Sequence, residues 1–204
     1  MKNLFLINLL ILAASIQTFS QGYVVGDQAE NFKLKNVDGE YISLYNYTPA
    51  EKGAIVIFTC NHCPYAIAYE DRTIEIDQKF RSKGYPVIAV NPNDPKLAPE
   101  DSFEKMKFRA QEKNYPFPYL IDETQEVYKM YGAKRTPHVF LLHKENGSFV
   151  VSYIGTIDDN YKDASAVEKK YLKDAVTALI NGKKPDPDFT KAIGCTIKDK
   201  DYQK

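Results

Sequence analysis

The chain reads as an α/β protein: a mixed central sheet sandwiched between helices, with a β-hairpin near the N-terminus. Three observations carry that reading. Strand-like and helical runs alternate, two strand runs are apolar throughout, and the last two strands are joined by a tight turn. Phe32-Lys33-Leu34-Lys35 and Tyr41-Ile42-Ser43-Leu44 alternate on either side of Asn36-Val37-Asp38-Gly39, the pattern of a hairpin. Ala54-Ile55-Val56-Ile57-Phe58 is a continuous apolar run of strand length. A helix is predicted from Pro64 to about Phe80, with Ala66, Ala68, Tyr69, Ile74, Ile76 and Phe80 on its apolar positions. Past Gly84, Tyr85-Pro86-Val87-Ile88-Ala89-Val90 reads as a buried strand that Asn91-Pro92-Asn93-Asp94-Pro95 must end.

Asp101-Ser102 can cap a second helix through about Lys113, since short oxygen-bearing side chains satisfy the free N–H groups of a first turn. Tyr119-Leu120-Ile121 follows as a strand, and Glu123 to Tyr131 as a helix stopped at Gly132. Val139-Phe140-Leu141-Leu142, the Asn146-Gly147 turn and Phe149-Val150-Val151-Ser152-Tyr153-Ile154 make the closing hairpin. Ala164 to Leu179 is the expected last helix. The expected organisation is an export signal over residues 1–20, one domain over 21–182, and a tail over 183–204. Ile193-Gly194-Cys195-Thr196-Ile197 makes that tail apolar enough to dock.

Lys2, the apolar run Leu4 to Ile16 and the alternating small residues of Thr18-Phe19-Ser20 follow the pattern of a cleaved signal peptide. The apolar part is shorter than the roughly 20 residues that span a bilayer, which argues against an uncleaved anchor. A periplasmic or extracellular protein is expected, with no membrane span once the signal is removed. With 27 basic and 27 acidic side chains the chain has no net charge to attract nucleic acid. It has no glycine-rich phosphate loop, so no nucleotide, flavin or other cofactor is expected.

Cys60-Asn61-His62-Cys63 joins the first apolar strand to the helix beginning at Pro64. A thiolate at a helix N-terminus is favoured by free N–H groups and aligned peptide dipoles, so Cys60 is the expected nucleophile. Cys63, one turn away, is the expected resolving thiol. An imidazolium on His62 is expected to favour the Cys60 thiolate and move the couple toward oxidising behaviour. Three cysteines do not make a disulfide scaffold, and the odd count leaves one thiol over. The expected function is thiol-disulfide exchange with a protein or small-thiol substrate, electrons passing to or from a partner thiol protein. The competing reading is a chaperone for copper or another soft metal, using Cys60, His62 and Cys63 with His138 as a further ligand.

Cys60-Asn61-His62-Cys63 after a strand, together with Arg135-Thr136-Pro137 before a later one, resembles the thioredoxin-like superfamily from about Gly26 to Ile180. Within it, the early hairpin, the helical insert and the motifs are similar to the exported redoxins related to alkyl hydroperoxide reductase and thiol-specific antioxidant proteins. The resemblance implies a cis Pro137 against the dithiol and a Thr136 backbone free to pair with an extended substrate. Three departures stand out. Thr59 replaces the Trp that often precedes the first cysteine. The strand 54–58 lacks a buried acid, so no proton acceptor for Cys63 is identified. Residues 53–60 have neither the proline nor the threonine three places before Cys60 with which peroxiredoxins orient peroxide, which disfavours a thiol peroxidase. Gly194-Cys195-Thr196-Ile197-Lys198 is similar to the end of that redoxin branch. Cys195 is expected to anchor the tail as a small buried residue, the alternative being a third thiol that exchanges with Cys60 or Cys63.

Overall fold

The computed structural model describes residues 22–201, so the expected export signal lies outside the described residues. Among the described residues, ten strands and four α-helices follow one another. They are β1 (Gln28–Ala29), β2 (Lys33–Asn36), β3 (Tyr41–Ser43), β4 (Gly53–Phe58), α1 (Pro64–Phe80), β5 (Val87–Asn91), α2 (Phe103–Glu112) and β6 (Tyr119–Ile121). Then come α3 (Glu126–Tyr131), β7 (Arg135–Thr136), β8 (His138–Glu145), β9 (Ser148–Gly155), α4 (Tyr171–Ile180) and β10 (Cys195–Thr196). Eight strands form one sheet in the order β1-β9-β8-β4-β5-β6-β2-β3. Strands β4, β5 and β6 run parallel, while β8 joins β4 antiparallel, so the sheet is mixed. The hairpin β2–β3 docks through β2 onto β6 at the far edge.

Strand β4 shows why this chain needs two layers of cover. Alternate side chains of a strand point to opposite faces, so Ala54, Val56 and Phe58 enter one apolar core and Ile55 and Ile57 the other. Val127, Tyr128 and Tyr131 of α3 close the first core. Ile76 and Phe80 of α1, Met106 of α2, and Leu172, Ala175 and Val176 of α4 close the second. Each fully buried Leu or Val there is worth about 1.5–3 kcal/mol. Among the described residues no helix is long and apolar enough to cross a membrane.

Helix α1 has the expected bounds, but its inner face is more polar than an apolar count suggests. Ala68 is exposed and Ile74 half-buried, whereas Glu70, Arg72, Thr73 and Asp77 are buried. Each of those charges is paired: Glu70 with Arg109 at 2.6 Å, Arg72 with Asp158 at 2.7 Å and Asp77 with Arg81 at 2.8 Å. Helix α3 begins at Glu126 rather than Glu123, because Gln125 takes φ +62 immediately before it. Helix α4 begins at Tyr171 rather than Ala164. Residues 164–166 form only a 3₁₀ turn, and the segment after it is held extended by bonds from Asp159 N to Lys169 O and from Leu172 N to Ile157 O. The turn at Asn146 and Gly147 has φ +50 and +85, the left-handed pair that matches the twist of a two-residue hairpin.

The tail is docked along its described length. Thr190 N donates to Ile154 O, Asp94 N to Lys198 O, and Lys198 N to Asn93 Oδ1, while Ile197 is buried in the first core. Its last strand, β10, pairs with β7 rather than with the main sheet.

Candidate functional site

The register of β4 against β8 builds the site. Phe58 lies opposite His138, so the residues that leave β4 toward Cys60 meet the residues that enter β8 from Thr136 and Pro137. The Thr136–Pro137 peptide is cis, in agreement with the sequence expectation. Cys63 is the N-cap of α1 and Pro64 its first residue, where a missing N–H costs nothing. The two sulfurs both reach Thr136. Cys60 Sγ lies 3.2 Å from Thr136 Oγ1, and Cys63 Sγ lies 3.2 Å from Thr136 O.

Cys60 and Cys63 pack together in one buried cluster, and each acts on the other's ionisation. Cys60 holds Cys63 down at about 4 against the effect of burial, with the Cys195 thiol and the Ala66 amide acting in the same direction as Cys60. Cys60 is raised, first by Cys63, then by burial and by the Asp101 carboxylate. The expectation that His62 draws Cys60 down therefore does not describe this dithiol. The helix N-terminus acts on Cys63, its N-cap, and the charge near Cys60 is an acid.

Asp101 is the site residue that sequence reasoning missed, having been read as a helix cap. Its buried carboxylate accepts from Asn61 N at 2.7 Å and Asn93 Nδ2 at 2.6 Å, and contacts His62 Nδ1 at 2.7 Å. Helix α2 in turn starts without a side-chain cap at Ser102. Asn61 is held further by Nδ2 to Glu100 O and by the hydroxyl of Tyr119 on its Oδ1. The insert thus fixes the loop 60–63 from the side opposite Thr136. Thirty-nine residues separate His62 from Asp101, and no local spacing announces the pair. Tyr65 packs against the thiols with its ring tilted over that of Tyr161 at 4.2 Å, a second unforeseen feature.

Replacing Asp101 tests this arrangement. Asp101→Ala leaves the Asn61 amide and the Asn93 side chain without acceptors, each worth about 1–3 kcal/mol, and an overall loss of about 3 kcal/mol is expected in urea unfolding. Asp101→Asn keeps an acceptor and is expected to lose about 1 kcal/mol. By removing the charge it moves the pH profile of Cys60 alkylation to lower pH, a shift that a purely structural role for Asp101 does not produce.

The Cys60 sulfur, a ring nitrogen of His62 and a carboxylate oxygen of Asp101 lie within 4.8 Å of one another, a possible metal-ligating group. Its acid and imidazole are already bonded to each other, and the acid also to Asn61 and Asn93. His138, proposed as a further soft-metal ligand, is not brought into the group. Its Nδ1 accepts from Lys134 N at 3.3 Å and its ring packs on Phe140. Burial draws His138 down to about 4, so its ring is neutral in the fold, whereas an unfolded histidine takes a proton near 6.5. Stability is therefore full above about pH 6.5 and falls as pH drops toward about 4. That loss is about 3 kcal/mol, levelling below. His138→Asn is expected to remove that slope, as measured by urea midpoints between pH 7 and pH 4. His143 is structural, its Nδ1 2.6 Å from the Tyr85 hydroxyl.

Cys195 is not a fully buried anchor. Strand β10 runs antiparallel to β7 with Cys195 opposite Thr136, and the half-exposed Cys195 packs against the cluster of Cys60, Cys63 and Ala66. The Thr136 backbone expected to be free is occupied by the chain's own tail. Cys60 and Cys63 beneath it are 3% and 0% exposed.

Comparison with known proteins agrees with this geometry. Residues 25–159 match the AhpC/TSA family. The chain is 31% identical to the thiol-disulfide oxidoreductase ResA of Geobacillus thermodenitrificans over 147 residues, 71% of this chain and 77% of that one. It is 28% identical to the ResA of Halalkalibacterium halodurans over 130 residues, 64% of this chain and 68% of that one. A crystal structure of an uncharacterized conserved protein from Geobacillus kaustophilus superposes with a TM-score of 0.79 at 35% identity, covering 92% of this chain and 96% of the other.

Proposed function

The chain belongs to the AhpC/TSA family, and on that premise we propose that it is a thiol-disulfide oxidoreductase whose exchanging pair is Cys60 and Cys63. One observation carries the reading: two thiols pack together at the mouth of α1, each 3.2 Å from an oxygen of Thr136 beside cis Pro137. Its similarity to ResA proteins, named for this activity, supports it. In the reducing direction, Cys60 gives its proton to the neighbouring Cys63 sulfur, and the Cys60 thiolate attacks a substrate disulfide. One substrate sulfur leaves as a thiolate and the other is held on Cys60. Cys63 then loses its proton, attacks Cys60, and releases the second sulfur as the Cys60–Cys63 disulfide closes. Thr136 and Pro137 position the substrate, and Asp101 holds His62 and the loop as a positioning residue.

The low Cys63 pKa stabilises the dithiol relative to the disulfide, which inclines the couple toward oxidising behaviour. The leading cause is the neighbouring Cys60 thiol, with the Cys195 thiol and the Ala66 amide of the first helical turn acting in the same direction. Partners are proposed to be proteins carrying thiols or disulfides, one as substrate and one as electron donor or acceptor. The apolar run at residues 4–16 supports export. The soft-metal and peroxidase alternatives are not favoured: His138 stands apart from the thiols, and residues 53–60 have neither the peroxide-orienting proline nor the threonine three places before Cys60. Reduction of a model protein disulfide, followed with wild type, Cys60→Ser and Cys63→Ser, tests the proposal. Activity retained in both variants would overturn it.

A further inference from the structure

The tail sits where an extended substrate is expected to sit. Gly194 passes so close to β7 that an added Cβ would lie 2.2 Å from Thr136 O, and only a residue without a side chain fits there. Arg135 holds the same segment through Gly194 O at 3.3 Å and Thr196 Oγ1 at 3.1 Å. Cys195 is thereby delivered opposite Thr136, its thiol against Cys63, in a cluster with Cys60, Cys63 and Ala66. Of the three cysteines, Cys195 alone is half-exposed.

We propose that Cys195 is a third exchange thiol, an internal substrate that forms a Cys63–Cys195 disulfide in competition with Cys60–Cys63. The inference rests on the exchange reading of the Cys60–Cys63 pair. Starting from the Cys60–Cys63 disulfide, the Cys195 thiolate attacks Cys63 Sγ. The S63–S195 bond forms as S60–S63 breaks, the electron pair leaves on Cys60, and Cys60 takes up a proton equivalent to the one Cys195 released. Nothing is oxidised or reduced overall. Burial and then Cys63 push the Cys195 thiol up to about 11; once Cys63 is in a disulfide its part of that rise is gone, while Lys198 and Arg135 act the other way. The new bond fastens the tail over Thr136 and leaves its Cys195 sulfur as the one an outside thiol meets first. Attack there returns Cys63 and frees the strand.

The test is non-reducing peptide mapping of the full-length chain after equilibration in graded glutathione buffers, acid quench and alkylation. Wild type is expected to yield the Cys60–Cys63 disulfide together with a Cys63–Cys195 species. Cys60→Ser is expected to yield Cys63–Cys195 as its main intramolecular disulfide. If wild type forms Cys60–Cys63 while Cys63–Cys195 is absent from both proteins at every ratio, the third-thiol proposal is overturned and the exchange reading stands. If neither disulfide forms in wild type, both fall. Should Cys60→Ser fail to fold by circular dichroism, the wild-type map alone decides.

Discussion

Cys63→Ser is expected to stall turnover with substrate captured on Cys60, lowering the rate of disulfide reduction at least about 100-fold, or about 2.7 kcal/mol of barrier. The resolving sulfur packs with Cys60 in the buried cluster and has no replacement there, because the tail's Cys195 acts on Cys63 rather than on Cys60. Cys60→Ser is expected to lose the same activity without accumulating a captured partner. Gels run with and without reductant, followed by peptide mapping, separate the two. Capture by Cys60→Ser instead would give the first attack to Cys63, the sulfur that holds the charge in the dithiol.

Gly194→Val is expected to lift the terminal strand from β7, since its Cβ cannot share space with the Thr136 carbonyl. Two residue pairs of β7 and β10 are lost, worth about 1–2 kcal/mol together, so the buried sulfurs of Cys60 and Cys63 become reactive about 5–30-fold faster. Alkylation rates read by mass spectrometry at each cysteine check this. The bonds of Lys198 to Asp94 and Asn93 lie beyond the lifted strand and keep the rest of the tail in place, so the urea midpoint is expected to move little. An unchanged alkylation rate would mean that the strand does not limit access to the dithiol.

Much of this site is legible in the sequence because it is local. The dithiol, the helix start at Pro64 and the strand before it lie within a dozen residues, and apolar runs such as residues 54–58 and 85–90 have one stable use, as buried strands. The cis Pro137 facing them came by resemblance, and the register of Phe58 against His138 supplies its physical reason. What was not legible is long-range and polar. Asp101 looks like a helix cap in its own segment, and only the folded insert turns its carboxylate toward His62 and Asn61. Glu70, Arg72 and Asp77 look like a solvent face until Arg109, Asp158 and Arg81 are brought to them. The tail was legible as apolar but not as a strand. Its partner is two residues long and lies about sixty positions earlier, too short a pattern for periodicity to reveal.

The most direct measurement is a redox titration of the wild-type protein, with each cysteine's state read by differential alkylation and peptide mapping. A reversible two-electron transition in which Cys60 and Cys63 lose their thiols together, and regain them on reduction, is the predicted result. Cysteines that titrate independently, or a 60–63 pair that never closes at any potential, would contradict it.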